Sequence, residues 1–110
     1  MPTMEQKHLA AVGFAMGHPR RVALFDLLHS RPEVGNTLAA LEVASRLPRG
    51  TLIHHLRQME KVGLVGRMAK GAATVYRINP TVLIVIAAEL AARAKPAGRM
   101  NPRSTVRKAA

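Results

Sequence analysis

Two histidines stand side by side, His54 and His55, in the stretch TLIHHLRQMEKVGLV, residues 51–65. Imidazoles can hold a metal, shuttle a proton or hydrogen-bond to a nucleic-acid base. Helical geometry separates these uses. Consecutive residues on a helix point ~100° apart, so neighbouring side chains do not converge on one ion, and helical zinc ligands stand three or four residues apart. With Leu52 taken as the inward direction, Leu56 and Met59 fall within about 40° of it. His55 lies near about 300°, at the core margin, and His54 near about 200°, on the opposite face with Gly50, Arg57, Gln58 and Lys61. No Ser, Cys and carboxylate constellation accompanies the pair, so it is neither a metal site nor a catalytic dyad.

Three further histidines, His8, His18 and His29, complete the set of five. Glu5 and His8 stand at i and i+3 on one helical face and are the weak candidates for a divalent transition metal such as zinc, nickel or cobalt. Two solvated polar residues near a terminus is the simpler reading. The chain has no cysteine, which excludes disulfides, thiolate metal sites and cysteine nucleophiles.

What remains at His54 is an outward face that also carries Arg49, Gly50, Ile53 and Arg57. An arginine can donate two hydrogen bonds to guanine, a histidine can donate or accept, and an isoleucine can touch a thymine methyl. The overall charge agrees. Seventeen Lys and Arg against six Asp and Glu give +11 in 110 residues. Five of the basic residues fall in the acid-free segment Lys95–Ala110, yet the remainder still carries +6. A polyanion is therefore the expected partner, with nucleic acid ahead of an anionic membrane. The longest apolar run, Val82–Ala88, is far short of the ~20 residues of a membrane span, and no secretory leader is visible. A soluble, cytoplasmic protein is expected, with a core that must be aliphatic because aromatics make up only 3%.

The elements that would position this face follow from periodicity and breakers. Leu9, Val12 and Met16 recur at helical spacing over residues 4–16. Gly17-His18-Pro19 ends that helix, and Pro19 opens a second to about His29, with Val22, Phe25 and Leu28 inward and Leu24 and Leu27 widening the stripe. Ser30–Gly35 reads as a loop. A third helix is capped by Asn36 or Thr37, faces Leu38, Leu41 and Ala44 inward, and stops near Ser45-Arg46-Leu47. Pro48 starts a fourth, which ends at Gly63. Leu64–Met68 and Thr74–Ile78 read as strands of a hairpin around residues 69–73. Asn79-Pro80 caps a last helix to about Ala94. The expected fold is mainly α with a β-hairpin wing, a winged helix-turn-helix in the order α-α-α-α-β-β-α. Residues 1–94 form its DNA-binding and dimerisation domain, and residues 95–110 a basic, disordered tail.

The segments GHPRRVALFDLL, LPRGTLIHHLRQMEKVGLV and GAATVYRINP resemble the ArsR/SmtB family of small dimeric transcription factors, over Gly17–Pro80. The resemblance implies a homodimer on a palindromic operator. It also implies a dimer interface from the terminal helices at Leu9, Val12, Met16, Leu83, Ile86 and Leu90. Recognition-helix and wing contacts fall on Thr51, His54, Arg57 and Lys70. With the basic and outward residues flanking them, the expected DNA-binding set is Arg46, Arg49, Gly50, Thr51, Ile53, His54, Arg57, Lys61, Arg67 and Lys70. The chain departs from the family pattern at Arg46, where Gly is usual in the turn, at Pro48 in place of a Ser cap, and at Ile53 in place of Ser. The family's cysteine-rich metal motif is missing, and residues 81–93 offer only Glu89 where it has last-helix ligands.

The expected function is a sequence-specific, DNA-binding homodimer that regulates transcription in response to an unidentified signal, with a co-regulator protein as a further expected partner. A metal-responsive regulator using a non-cysteine site or a partner protein is the alternative, and a nonspecific nucleic-acid packaging protein a more distant one. Nothing in the sequence supports an enzyme.

Overall fold

The computed structural model describes residues 1–95. The elements are α1 (Met4–Met16), α2 (Pro19–His29), β1 (Asn36–Thr37), α3 (Leu38–Ser45), α4 (Arg49–Lys61), β2 (Val65–Lys70), β3 (Ala73–Ile78) and α5 (Pro80–Ala94). This is the expected winged helix-turn-helix with one strand more than the sequence suggested. The expected disorder of the tail beyond Lys95 lies outside the described residues.

Local chemistry sets most of the boundaries. Thr3 caps α1 reciprocally: its hydroxyl accepts from the Gln6 N–H while the Gln6 side chain accepts from the Thr3 N–H. His18 caps α2 through Nδ1, which accepts from the Arg20 N–H at 3.1 Å, and Pro19 follows in the first turn. Thr37, rather than Asn36, caps α3 by accepting from the Ala40 N–H. Asn79 caps α5 by accepting from the Thr81 N–H. At the end of α4, Leu64 N–H donates to Met59 O and Gly63 N–H to Glu60 O, both at 3.0 Å. That is a Schellman closure, and it requires the left-handed backbone that Gly63 adopts at φ +81°.

The sheet has the order β1-β3-β2, antiparallel throughout. In the hairpin, Val65 faces Ile78 and Lys70 faces Ala73, so the wing turns on Gly71-Ala72 alone and is tighter than the five-residue turn expected. The added strand β1 pairs Asn36 with Tyr76 and Thr37 with Val75. It clamps the loop between α2 and α3 onto the wing. Gly35 precedes it at φ +78°, and a Cβ there would sit 2.5 Å from Arg77 Cγ and 2.7 Å from Tyr76 O. No other residue fits that approach.

The core is aliphatic apart from Tyr76, an aromatic that is 4% exposed. Leu24, Leu28, Leu41, Leu52, Leu56, Met59 and Leu64 are fully buried where α2, α3, α4 and the sheet meet. Two expected faces need correcting. On α2 the inward stripe is Arg21, Leu24 and Leu28, while Val22 is 41% exposed and Phe25 half-buried. Arg21 takes the place expected for an apolar residue because its guanidinium finds acceptors inside the fold. On α3 Leu41 is buried but Ala44 is exposed. Two steps of i+3, from residue 38 to residue 44, leave the helix face ~120° away from the starting direction.

Candidate nucleic-acid interface

The core stripe of α4, Leu52, Leu56 and Met59, fixes which residues the helix presents outward. Arg49, Gly50, His54, Arg57 and Lys61 are exposed, and Thr51 and Ile53 are half-buried. Arg67 and Lys70 are exposed on β2. The hairpin lies beside α4, so that His54, Arg57, Gln58, Glu60, Lys61 and Arg67 line one open recess between helix and wing. Three of these are cations and one is an acid. The wing tip residues Ala72, Ala73 and Thr74 stand near Thr37, Leu38 and Arg49 at the start of α3 and α4.

Two carboxylates organise this surface. Arg49 Nε lies 3.3 Å from Glu42 Oε1, tying α4 to α3. Arg67 Nε lies 3.3 Å from Glu60 Oε2, tying the wing to α4. Both pairs are solvent-accessible and worth about 0–1 kcal/mol each, so they orient the arginines without holding them strongly. Arg46, Arg57, Lys61 and Lys70 have no ion pair among the described residues. Arg46 stands apart from the recess. It forms the turn between α3 and α4 and lines a separate hollow with Arg20, Leu24, Leu27 and Leu47. Its backbone is left-handed, φ 59°, the one such non-glycine among the described residues.

The two histidines part company as the helical geometry requires. His54 is exposed, while His55 is only 5% exposed and accepts a hydrogen bond at Nδ1 from Arg21 Nε at 3.1 Å. Burial, followed by the charges of His18, Arg21, His54 and Arg20, lowers the pKa of His55 below its ordinary value. Arg21 had no role in the sequence reading. Its i, i+3, i+7 alignment with Leu24 and Leu28 was the signal that could have revealed it.

The remaining site residues are distributed as follows. Glu5 and His8 are exposed on α1, and no group of three or more His, Cys, Asp or Glu side chains suited to a metal forms among the described residues. His8 Nε2 lies 3.4 Å from Val62 O, against the end of α4. Of the residues expected at a dimer interface, Val12 (3% exposed) and Ile86 (9%) are already covered within one chain, since α1 and α5 pack on each other and on the core. Within one chain these two belong to the core cluster. Leu9, Met16 and Leu83 are partly covered, and Leu90 is 53% exposed. The sequence missed other apolar side chains left open on the terminal helices: Met4, Phe14, Ile84 and Val85.

No protein-family model and no curated protein matches the chain. Solved structures do. An ArsR family transcriptional regulator aligns with a TM-score of 0.70 at 19% identity, covering 84% of this chain and 92% of its own. An ArsR-like transcriptional regulator from Rhodococcus sp. RHA1 aligns with a TM-score of 0.68 at 26% identity, covering 80% of each chain. The homodimeric winged helix-turn-helix DNA-binding domain of a Mycobacterium bovis protein aligns with a TM-score of 0.65 at 25% identity, covering 79% of each. The fold is thus that of the ArsR-type winged helix-turn-helix regulators. The alignments cover 79–84% of the chain, more than the Gly17–Pro80 stretch from which the resemblance was read.

Proposed function

We propose that the chain is a homodimeric transcriptional regulator that reads a palindromic operator with α4 and steadies itself on the backbone with its wing. The observation that carries this is the convergence of His54, Arg57, Lys61 and Arg67 on one open, cationic recess beside the exposed first turns of α4. A recognition helix meets base edges with its N-terminal residues. Thr51, Ile53, His54 and Arg57 therefore take the base-reading role, and Arg67 and Lys70 the phosphate-positioning one. The fold supports the assignment, and the homodimeric mycobacterial neighbour supports a two-fold assembly. Open apolar side chains on α1 and α5, Phe14, Ile84, Val85 and Leu90, supply a surface for the second copy. Two half-sites related by that axis make the operator palindromic. A small-molecule or metal signal, or a co-regulator protein, would act on this dimer.

The test is an anisotropy titration of the protein against its own upstream DNA and against a random duplex of equal length, at several salt concentrations. A specific regulator prefers the first by roughly 10³-fold or more. Equal affinity for both would overturn the reading in favour of nonspecific packaging. Repeating the titration with zinc, nickel and cobalt tests metal response directly.

A further inference from the structure

The two neighbouring histidines of α4 serve opposite sides of the helix, and the inner one is held by a cation that also holds α1. Arg21, in the first turn of α2, is buried. Its Nη1 donates to Phe14 O and Ala15 O, 3.3 Å each, two carbonyls of the last turn of α1. The carbonyl end of a helix carries partial negative charge, and of these two oxygens Phe14 O also accepts from the Gly17 N–H at 3.1 Å. The guanidinium carbon also lies 5.8 Å from the centre of the Phe14 ring. Nε completes the set by donating to His55 Nδ1 at 3.1 Å. One side chain thus joins α1, α2 and α4.

We infer that Arg21 is a positioning residue for the recognition helix, acting through His55, and that proton uptake by His55 releases α4 from this link. The inference deepens the proposed function and rests on it only where DNA is the readout.

The argument is one of charge and acceptors. No carboxylate partners the buried guanidinium among the described residues; carbonyl oxygens and one imidazole lone pair take its hydrogen bonds. That arrangement holds one positive charge. A protonated imidazole has no lone pair, so Nδ1 becomes a donor facing a donor. The other groups acting on His55 are all bases: His18 from the turn before α2, its ring 4.8 Å away, Arg20 from α2, and His54 from α4 at 5.7 Å. From α1 the link meets the Phe14 and Ala15 carbonyls and the Phe14 ring. His54, the next residue along α4, faces the recess, so a change in how His55 is seated alters the face that meets DNA.

The direction with pH is fixed. The folded protein holds the His55 pKa below its ordinary value of 6.5, so between these values the unfolded chain binds more protons. The contribution is complete above pH 6.5 and is lost as pH falls from there through the lower folded value. A single proton limits the effect to about a tenfold change in the unfolding constant per pH unit.

The experiment compares wild type with His55→Gln from pH 7.5 to 5. Glutamine can accept from Arg21 Nε but takes up no proton. In urea unfolding, wild type loses stability on acidification more steeply than His55→Gln, by up to that tenfold per unit. In anisotropy, wild type loses its preference for operator over random DNA as pH falls, while His55→Gln keeps it. Equal slopes in the unfolding series overturn the proton link. Unequal unfolding slopes with identical DNA profiles overturn the positioning role and leave a structural bond. Should His55→Gln not fold, nitrogen-15 correlation spectra of wild-type imidazoles decide. His55 must be the Nε2–H tautomer at neutral pH and titrate below 6.5; an Nδ1–H tautomer, or a midpoint at 6.5 or above, overturns the inference. The unfolding and imidazole measurements involve no DNA, so they stand or fall apart from the regulator reading.

Discussion

Replacing Arg46 by glycine should stabilise the protein, although it removes a charged side chain from a basic surface. Arg46 closes α3 with φ 59° and ψ 21°, and its N–H donates to Glu42 O at 3.1 Å. A side chain in this left-handed region costs about 1–2 kcal/mol, because Cβ crowds the following carbonyl. Glycine removes that crowding, but the unfolded chain gains freedom, which returns roughly 0.5–1 kcal/mol. The backbone hydrogen bond survives in either case. The difference of the central values is a gain of about 0.75 kcal/mol, which in a domain of this size raises Tm by roughly 3–6 °C. Arg46→Ala is the control, since it loses the guanidinium and keeps Cβ. Urea unfolding followed by circular dichroism should rank the stabilities Gly above Ala and Arg. Both variants should lose the same amount of DNA affinity if Arg46 meets a phosphate. A glycine variant no more stable than the alanine variant would refute the claim that this turn is strained.

Four other outcomes are expected. Arg57→Ala should cost ~1–3 kcal/mol on operator DNA and narrow the gap to random DNA, whereas Lys70→Ala should weaken both alike and lower the salt dependence by roughly one counterion; both are read by anisotropy. Gly50→Ala should add up to ~0.5–1 kcal/mol of stability, because a Cβ there meets nothing within 4 Å, while weakening operator binding if the first turn of α4 lies against DNA. Glu60→Gln should free Arg67 from its 3.3 Å partner and raise affinity for random DNA more than for operator; a fall on both would mean that the pair is needed to set the wing. Leu90→Glu should leave the fold intact and yield a monomer by light scattering, while Ile86→Glu should unfold the chain, since Ile86 is buried within its own protomer.

The helices were legible because their ends are written in chemistry that acts locally: Pro19 and Pro80 behind capping side chains, Thr37 before α3, Gly63 after α4. Their inner faces were less so. Counting only apolar residues as inward rotated α2 by one position, because the fold admits Arg21 where carbonyls and an imidazole await it. No local pattern announces such acceptors; they come from α1 and α4. Strand β1 escaped notice for a related reason. Two residues carry no periodicity, and Asn36 and Thr37 are extended because Tyr76 and Val75 lie opposite. The outward set on α4 was readable from one anchor, Leu52, since a rigid helix transmits an orientation along its length. The terminal helices gave a mixed picture. Their apolar residues exceed what one core can cover, which is visible in sequence, but which of them the core covers depends on how α1 and α5 cross.

The charge pattern separates attraction from reading. With +11 on 110 residues, the chain would bind any duplex through released counterions, and sequence preference must arise against that background. Two of the acids, Glu42 and Glu60, are spent on arginines at the edges of α4, which lowers unspecific attraction there and aims Arg49 and Arg67. Their pairs are weak enough for a phosphate to displace. Between these edges Arg57 has no such partner among the described residues, and beside it His54 is exposed. Held cations at the rim and an unpaired one at the centre suit a surface whose edge follows the backbone and whose middle must adapt to bases. The stiffness that reading requires then comes from beneath, where Leu52, Leu56 and Met59 are fully buried and His55 is bonded to Arg21.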